Sequence, residues 1–198
     1  MPITRRLTLL AAAAILAGCA SSSANLSTAT VGAYRDTIDL NGRVSVNYQK
    51  DGKLESSTGN FNWAQRPGAI DVTLASPLGQ TLATISVTPG SATLTQSGQA
   101  PRTASDIDSL SQVALGWPLP VSGLRDWLQG YAIDGQGQRF SASPANNSVT
   151  TKDGWRLRFM SWQDEKAAQP QPRIISAERA AVGDIQDLAI RIVIEPAA

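Results

Sequence analysis

The chain has 198 residues and is 42% hydrophobic, 17% charged and 6% aromatic, with 16 Gly and 11 Pro. That is too apolar for a disordered chain and too interrupted for a polytopic membrane protein, and its length suits one domain with a tail. The charges nearly balance, 17 Lys+Arg against 16 Asp+Glu, so the basic stripe of a nucleic-acid-binding protein is missing. With no His and a single Cys, Cys19, a Ser-His-Asp or Cys-His nucleophile, a His-ligated metal and an internal disulfide are all excluded. A binding or structural role is favoured over an enzyme.

Residues 1–18 read as an export signal. Arg5 and Arg6 form a positive start, and Leu7–Ala17 is an apolar run of 11 residues, well short of the ~20 that span a bilayer. Leu16-Ala17-Gly18-Cys19 closes the run. It resembles the bacterial lipobox, where the Cys is lipidated and becomes the first mature residue; the alternative is an ordinary export signal with a chance Cys. The resemblance implies an N-acyl diacylglycerol on Cys19. Two or more acyl chains anchor stably where one does not. Ala20 and Ser21 follow the Cys, so the Asp that favours inner-membrane retention in enteric bacteria is absent, and the implied destination is the outer membrane, facing the periplasm.

Residues 20–32 are Ser/Ala/Thr-rich and nearly uncharged, and 19–37 reads as a flexible tether with an r.m.s. reach of about 20–25 Å. The folded domain is expected over 38–198. Ile38, Leu40, Gly42, Val44, Val46 and Tyr48 alternate with polar residues, the period of a strand with one apolar and one wet face. A turn at Lys50-Asp51-Gly52-Lys53 leads to a second strand with Gly59, Phe61 and Trp63 on one face. Ile70–Leu74, Ala83–Val87 and Ala92–Leu94 continue the pattern, with Pro89-Gly90 as a turn.

At residue 105 the period changes. Ser105 and Asp108 look like a capping box ahead of Ile107, Leu110 and Ala114 at helical spacing, and Gly116 and Pro118 end the run. Pro120 opens a second short helix with Val121, Leu124 and Leu128 on one face, Trp127 beside them, and Gly130 as its terminator. Strands return at Trp155–Phe159, Ile174–Arg179 and Leu188–Ile194, with weaker candidates near Phe140 and Val149. The reading is a mainly β protein: one curled antiparallel sheet of about 9–11 strands with short helices packed in or over its mouth. Alternation does not decide between a filled interior and a hollow one.

Ser76-Pro77-Leu78-Gly79-Gln80-Thr81 and the run Gly116-Trp117-Pro118-Leu119-Pro120 to Gly130, which has the form G-x-P-x-P-x₃-L-x₂-W-x₂-G, point to one family. With Gly42, Phe61-x-Trp63 and the lipobox, the chain resembles the outer-membrane lipoprotein LolB family over roughly residues 38–130. The resemblance implies a half-open β-barrel with an apolar cavity. It also implies a receptor that takes the acyl chains of client lipoproteins from the periplasmic carrier LolA and inserts them into the inner leaflet of the outer membrane without ATP. A monomer with no cofactor beyond the lipid on Cys19 is expected. Phe61, Trp63, Trp127 and Leu128 are candidates for the cavity wall, with ordinary core packing as the alternative. Ser-Pro-Leu-Gly fits a β-turn that puts Leu78 at the tip between Pro77 and Gly79; the matching family leucine lies on a protruding loop that delivers lipoprotein to the membrane. The alternative is a Leu folded back on the sheet. Asp106/Asp108 and Asp164/Glu165 read as caps or solvated surface, and Arg156 and Arg158 as exposed or as contacts for an acidic rim on the carrier. A lipoprotein that binds a protein partner and no lipid is the rival function.

Overall fold

The computed structural model describes residues 26–115, 121–182 and 184–196. The export signal, Cys19 and Gly116–Pro120 lie outside the described residues. Chain order is β1 (Ile38–Lys50), β2 (Lys53–Arg66), β3 (Ala69–Ala75), β4 (Thr81–Thr88), β5 (Ser91–Gln96), β6 (Arg102–Ala104), α1 (Ile107–Leu115), α2 (Val121–Trp127), β7 (Tyr131–Ile133), β8 (Arg139–Ser141), β9 (Ser148–Thr150), β10 (Arg156–Trp162), β11 (Pro172–Val182) and β12 (Ile185–Ile194).

Ten strands form a single antiparallel sheet in the order β6-β5-β4-β3-β2-β1-β12-β11-β10-β9. The first and last strands meet in its middle, with Val44 opposite Ile192. Edge strands β6 and β9 do not pair with each other, so the sheet is curled but unclosed, and β7 and β8 form a separate two-stranded hairpin. The strand count and the half-open form agree with the sequence reading; β6 and β7 are the strands it lacks. They are three residues each, too short to show a period.

The alternation along β1 does set the faces. Ile38 is buried and Asp39, Asn41 and Arg43 are exposed, and the register with β2 puts Leu40 opposite Trp63 and Gly42 opposite Phe61. The β1–β2 turn is a two-residue hairpin in which both Asp51 and Gly52 have positive φ, 51° and 72°, the conformation that matches strand twist.

Helix α1 starts one residue from the expected cap. Asp106, not Ser105, accepts the Ser109 N–H at 2.8 Å and the Ser109 hydroxyl at 2.7 Å, while Ser105 donates to Asp106 at 3.0 Å. A carboxylate reaches two donors at once and so outcompetes the hydroxyl for the N-cap. Helix α2 ends as expected, on Gly130 at φ 84°, whose N–H bonds to Trp127 O at 3.0 Å.

Residues 27–35 are docked on the domain, which shortens the tether expected over 19–37. Val31 is buried and its N–H bonds to Ala142 O at 3.0 Å, and Ala145 N–H bonds to Ser27 O at 3.0 Å. Tyr131 donates its hydroxyl to Gly32 O. The physical reason is local: a Cβ at Gly130 would lie 2.5 Å from the Val31 side chain, so glycine there opens a slot for Val31.

Candidate functional site

Between the concave face of the sheet and the two helices lies an apolar cavity of about 420 Å³, within the ~300–1,000 Å³ range of ligand pockets. Val44 and Val46 of β1, Phe61 and Trp63 of β2, Val72 and Leu74 of β3, and Ile85 of β4 line the sheet side, with Leu94 of β5 and Ile192 of β12. Ile107 and Leu110 of α1, Val121 and Leu124 of α2, and Leu128 form the opposing wall. These are the inward positions of a period-2 face and the apolar stripes of two short helices. Each needs the other to leave water, because neither helix is long enough to stand alone.

Of the residues expected in the wall, Phe61, Trp63 and Leu128 line the cavity. Trp127 does not. It packs against Trp155, ring centroids 5.8 Å apart, and borders a separate polar recess with Asp108, Asp126 and Arg179. The 3.6 period explains this: Val121, Leu124 and Leu128 share one face, and position 127 is turned about 100° from position 128. Gly123 makes the turn possible, since a Cβ there would lie 2.8 Å from the Trp127 ring. The other wall residues, among them Val44, Val46, Val72, Leu74, Leu110 and Ile192, are placed in strands or helices by the sequence without being assigned to a site.

Gly42 lies opposite Phe61 of the wall, with no room for a side chain of its own. A Cβ at this position would sit 2.7 Å from Phe61 Cε1 and 2.2 Å from Val193 O. The missing side chain lets the Phe61 ring lie flat across β1.

A polar chain fixes the base of the site. Trp63 Nε1 donates to Gln65 Oε1 at 3.4 Å, and the buried Gln65 donates to Tyr34 Oη at 3.0 Å. Arg125 of α2 donates to the same hydroxyl at 3.1 Å, a bond that raises the Arg125 pKa above its ordinary value. Gln129 clasps Arg35, accepting its N–H at 2.9 Å and donating to its carbonyl at 3.0 Å. The docked N-terminal segment is therefore tied to both the cavity wall and helix α2. Beside Arg125, the Asp126 pKa is raised by burial, an effect that Arg125 and Arg139 partly offset.

At the mouth, apolar and polar groups mix. Ser57, Asn60 and Gln96 share the rim with Ala75 and Leu82, the last 49% exposed. The loop between Ala75 and Leu82 carries Pro77, Leu78 and Gly79. Gly79 N–H bonds to Ser76 O at 2.9 Å and Ser76 N–H to Gln80 O at 2.8 Å, closing a tight turn with Gly79 at φ 88°. Leu78 is 98% exposed. It is not folded back on the sheet: the hydrogen-bonded turn holds a large apolar side chain out in solvent beside the cavity rim.

An unclosed antiparallel sheet, two helices across it and a leucine-tipped loop on its rim enclose a space with the size and lining of an apolar pocket. The family model "LolB: Outer membrane lipoprotein LolB" matches residues 36–196. The chain is similar to the outer-membrane lipoprotein LolB of Cupriavidus pinatubonensis, 38% identical over 200 residues that cover 98% of this chain and 95% of the relative. It is 41% identical over 156 residues to that of Cupriavidus necator, covering 78% of this chain and 77% of the relative. With that of Ralstonia nicotianae it shares 36% identity over 192 residues, 93% of this chain and 92% of the relative. The chain belongs to the LolB family of outer-membrane lipoproteins, which places it at the outer membrane on a lipid anchor.

Proposed function

We propose that the cavity receives the acyl chains of client lipoproteins from the periplasmic carrier LolA and releases them into the inner leaflet of the outer membrane without ATP. The supporting observation is the apolar cavity of about 420 Å³ whose rim continues into the loop bearing Leu78. An acyl chain of ~16 carbons would cost about 10 kcal/mol or more to release into water, at ~0.8 kcal/mol per CH₂. Transfer must then run from mouth to mouth, and direction must come from affinities that rise from carrier to receptor to bilayer. A wide cavity lined by aliphatic and aromatic groups gives adaptable, moderate binding of the kind such a middle step needs. The diacylglycerol on Cys19 holds the domain at the bilayer, and Leu78 makes the transient contact through which the load leaves. No step requires a catalytic group, a metal or a second subunit.

The experiment is transfer. The chain from Ala20 onward, mixed with carrier-bound lipoprotein, should take the lipoprotein into a complex of its own and should take up a fluorescent acyl chain. Failure of both would leave the rival reading, a lipoprotein that binds a protein partner and holds no lipid.

A further inference from the structure

On the convex side of the sheet, directly behind the Leu78 loop, lies a second concavity of about 550 Å³ lined by Arg43, Asn41, Thr58, Asn60, Pro77 and Glu195, beside Gly42. Its lining mixes a guanidinium, two amides, a hydroxyl and the Glu195 carboxylate with Pro77 and Phe61, where the lipid cavity is almost wholly apolar. It is built into the loop rather than merely near it. Pro77, the chain neighbour of Leu78, is one wall, and Asn60 donates its side-chain amide to Ser76 O at 3.3 Å.

Arg43 has no carboxylate partner. Among the described residues the ion pairs are Arg66–Asp39 and Arg156–Glu178. The same face carries two more exposed arginines outside those pairs. Arg191 lies opposite Ser45, two residues along from Arg43, and Arg158 follows across Ser176. Three unpaired guanidinium groups thus run outward from the pocket on one surface. Such a row of positive charge attracts an anionic surface, more strongly at low ionic strength.

We propose that this pocket seats the phosphate of a bilayer phospholipid headgroup when the Leu78 loop touches the membrane, with Arg43 as its principal donor and Arg191 and Arg158 lying against neighbouring anionic lipids. The proposal rests on the reading of Leu78 as a membrane contact and adds its polar half. A side chain that enters the acyl boundary leaves the base of its own turn at headgroup depth, about 5–10 Å above. A planar fork of N–H donors fits a phosphate there. Glu195, on the same wall, opposes the anion and keeps the site weak enough to let go.

The test uses the full lipidated chain in vesicles, with Gln80→Cys carrying an environment-sensitive fluorophore; Cys19 is occupied by its lipid, so the label is site-specific. In vesicles of phosphatidylethanolamine with one quarter phosphatidylglycerol, the wild-type probe should report a buried environment. Arg43→Gln should lower the inserted-to-free ratio about fivefold, the effect of one basic residue at an anionic surface, and Glu195→Gln should raise it. High salt should shrink both differences. If Arg43→Gln inserts like wild type while wild type responds, the headgroup pocket is wrong and the Leu78 contact stands. If the wild-type probe never leaves water, both fail. Two further outcomes would overturn the proposal: loss of lipoprotein acceptance from the carrier in the absence of vesicles, which would give the arginines to the carrier, and selective inhibition by inorganic phosphate at matched ionic strength, which would make this a site for the free anion.

Discussion

The Asp108 carboxylate of α1 accepts the backbone N–H of Ser122 at 3.1 Å and its hydroxyl at 2.5 Å. Ser122 stands in the first turn of α2, where the N–H groups have no partner within the helix. Helix α1 therefore caps α2 from outside, and the two sides of the cavity roof are held as one piece. Asp108→Ala should destabilise the domain by about 0.5–2 kcal/mol, as loss of an N-cap does, while Asp108→Asn should cost less because an amide oxygen still accepts. Urea denaturation of the two variants measures this. Acyl-chain uptake should weaken in the same order, because Val121 and Leu124 ride on the released helix.

Gly42→Ala tests the close approach at this position. The added methyl would overlap the Phe61 ring and Val193 O, and overpacking of this kind costs about 1–3 kcal/mol. Lower thermal stability with reduced acyl uptake is expected, because Phe61 can escape only into the cavity. Unchanged stability would mean that the backbone between β1 and β12 yields.

Leu78→Glu should leave stability within about 0.5 kcal/mol, the usual range for an exposed site, since Leu78 is 98% exposed. Acceptance of lipoprotein should persist and release to membranes should fail, because a Leu dipped into lipid contributes about 1.5–3 kcal/mol that a carboxylate forfeits. Loss of acceptance as well would return Leu78 to a packing role.

Two carboxylates should show opposite pH behaviour. Hydrogen bonds from the Ser109 N–H, then the Ser109 and Ser105 hydroxyls, depress the Asp106 pKa. Its contribution is present above the ordinary carboxylate range and is lost as pH falls through the depressed value. Asp126 is raised by burial, so its favourable contribution exists at acid pH and is lost as pH rises through the raised value. Asp126→Asn should therefore raise the melting temperature at neutral pH and give a gain that vanishes on acidification, whereas Asp106→Asn should flatten the acid-range loss. Melting curves from about pH 2 to about pH 7, which bracket the ordinary carboxylate range on both sides, separate the two.

The sheet is legible in the sequence because period 2 is an inward-facing signal: Ile38 to Tyr48 names its own buried side, and Phe61 and Trp63 follow on the next strand. The cavity's existence is not legible, because it depends on how far the two helices stand from that face, and this distance is set by non-local packing such as Asp108 on Ser122. Trp127 shows the limit from another direction. Its apolarity suggests a wall residue, yet helical spacing already separates it from Val121, Leu124 and Leu128. Residues 27–35 read as tether because composition averages over a stretch, whereas one Val31 in the slot above Gly130 and one Tyr34 hydroxyl shared by Gln65 and Arg125 are enough to dock it.

The most direct measurement is titration of a fluorescent fatty acyl chain into the domain and into Leu124→Trp, which places an indole in the void from the helix side. Saturable uptake of the probe by the wild type, abolished in Leu124→Trp while its fold and melting temperature are kept, is the expected result. No uptake by the wild type, or equal uptake by the filled variant, would contradict a cavity that shelters lipid.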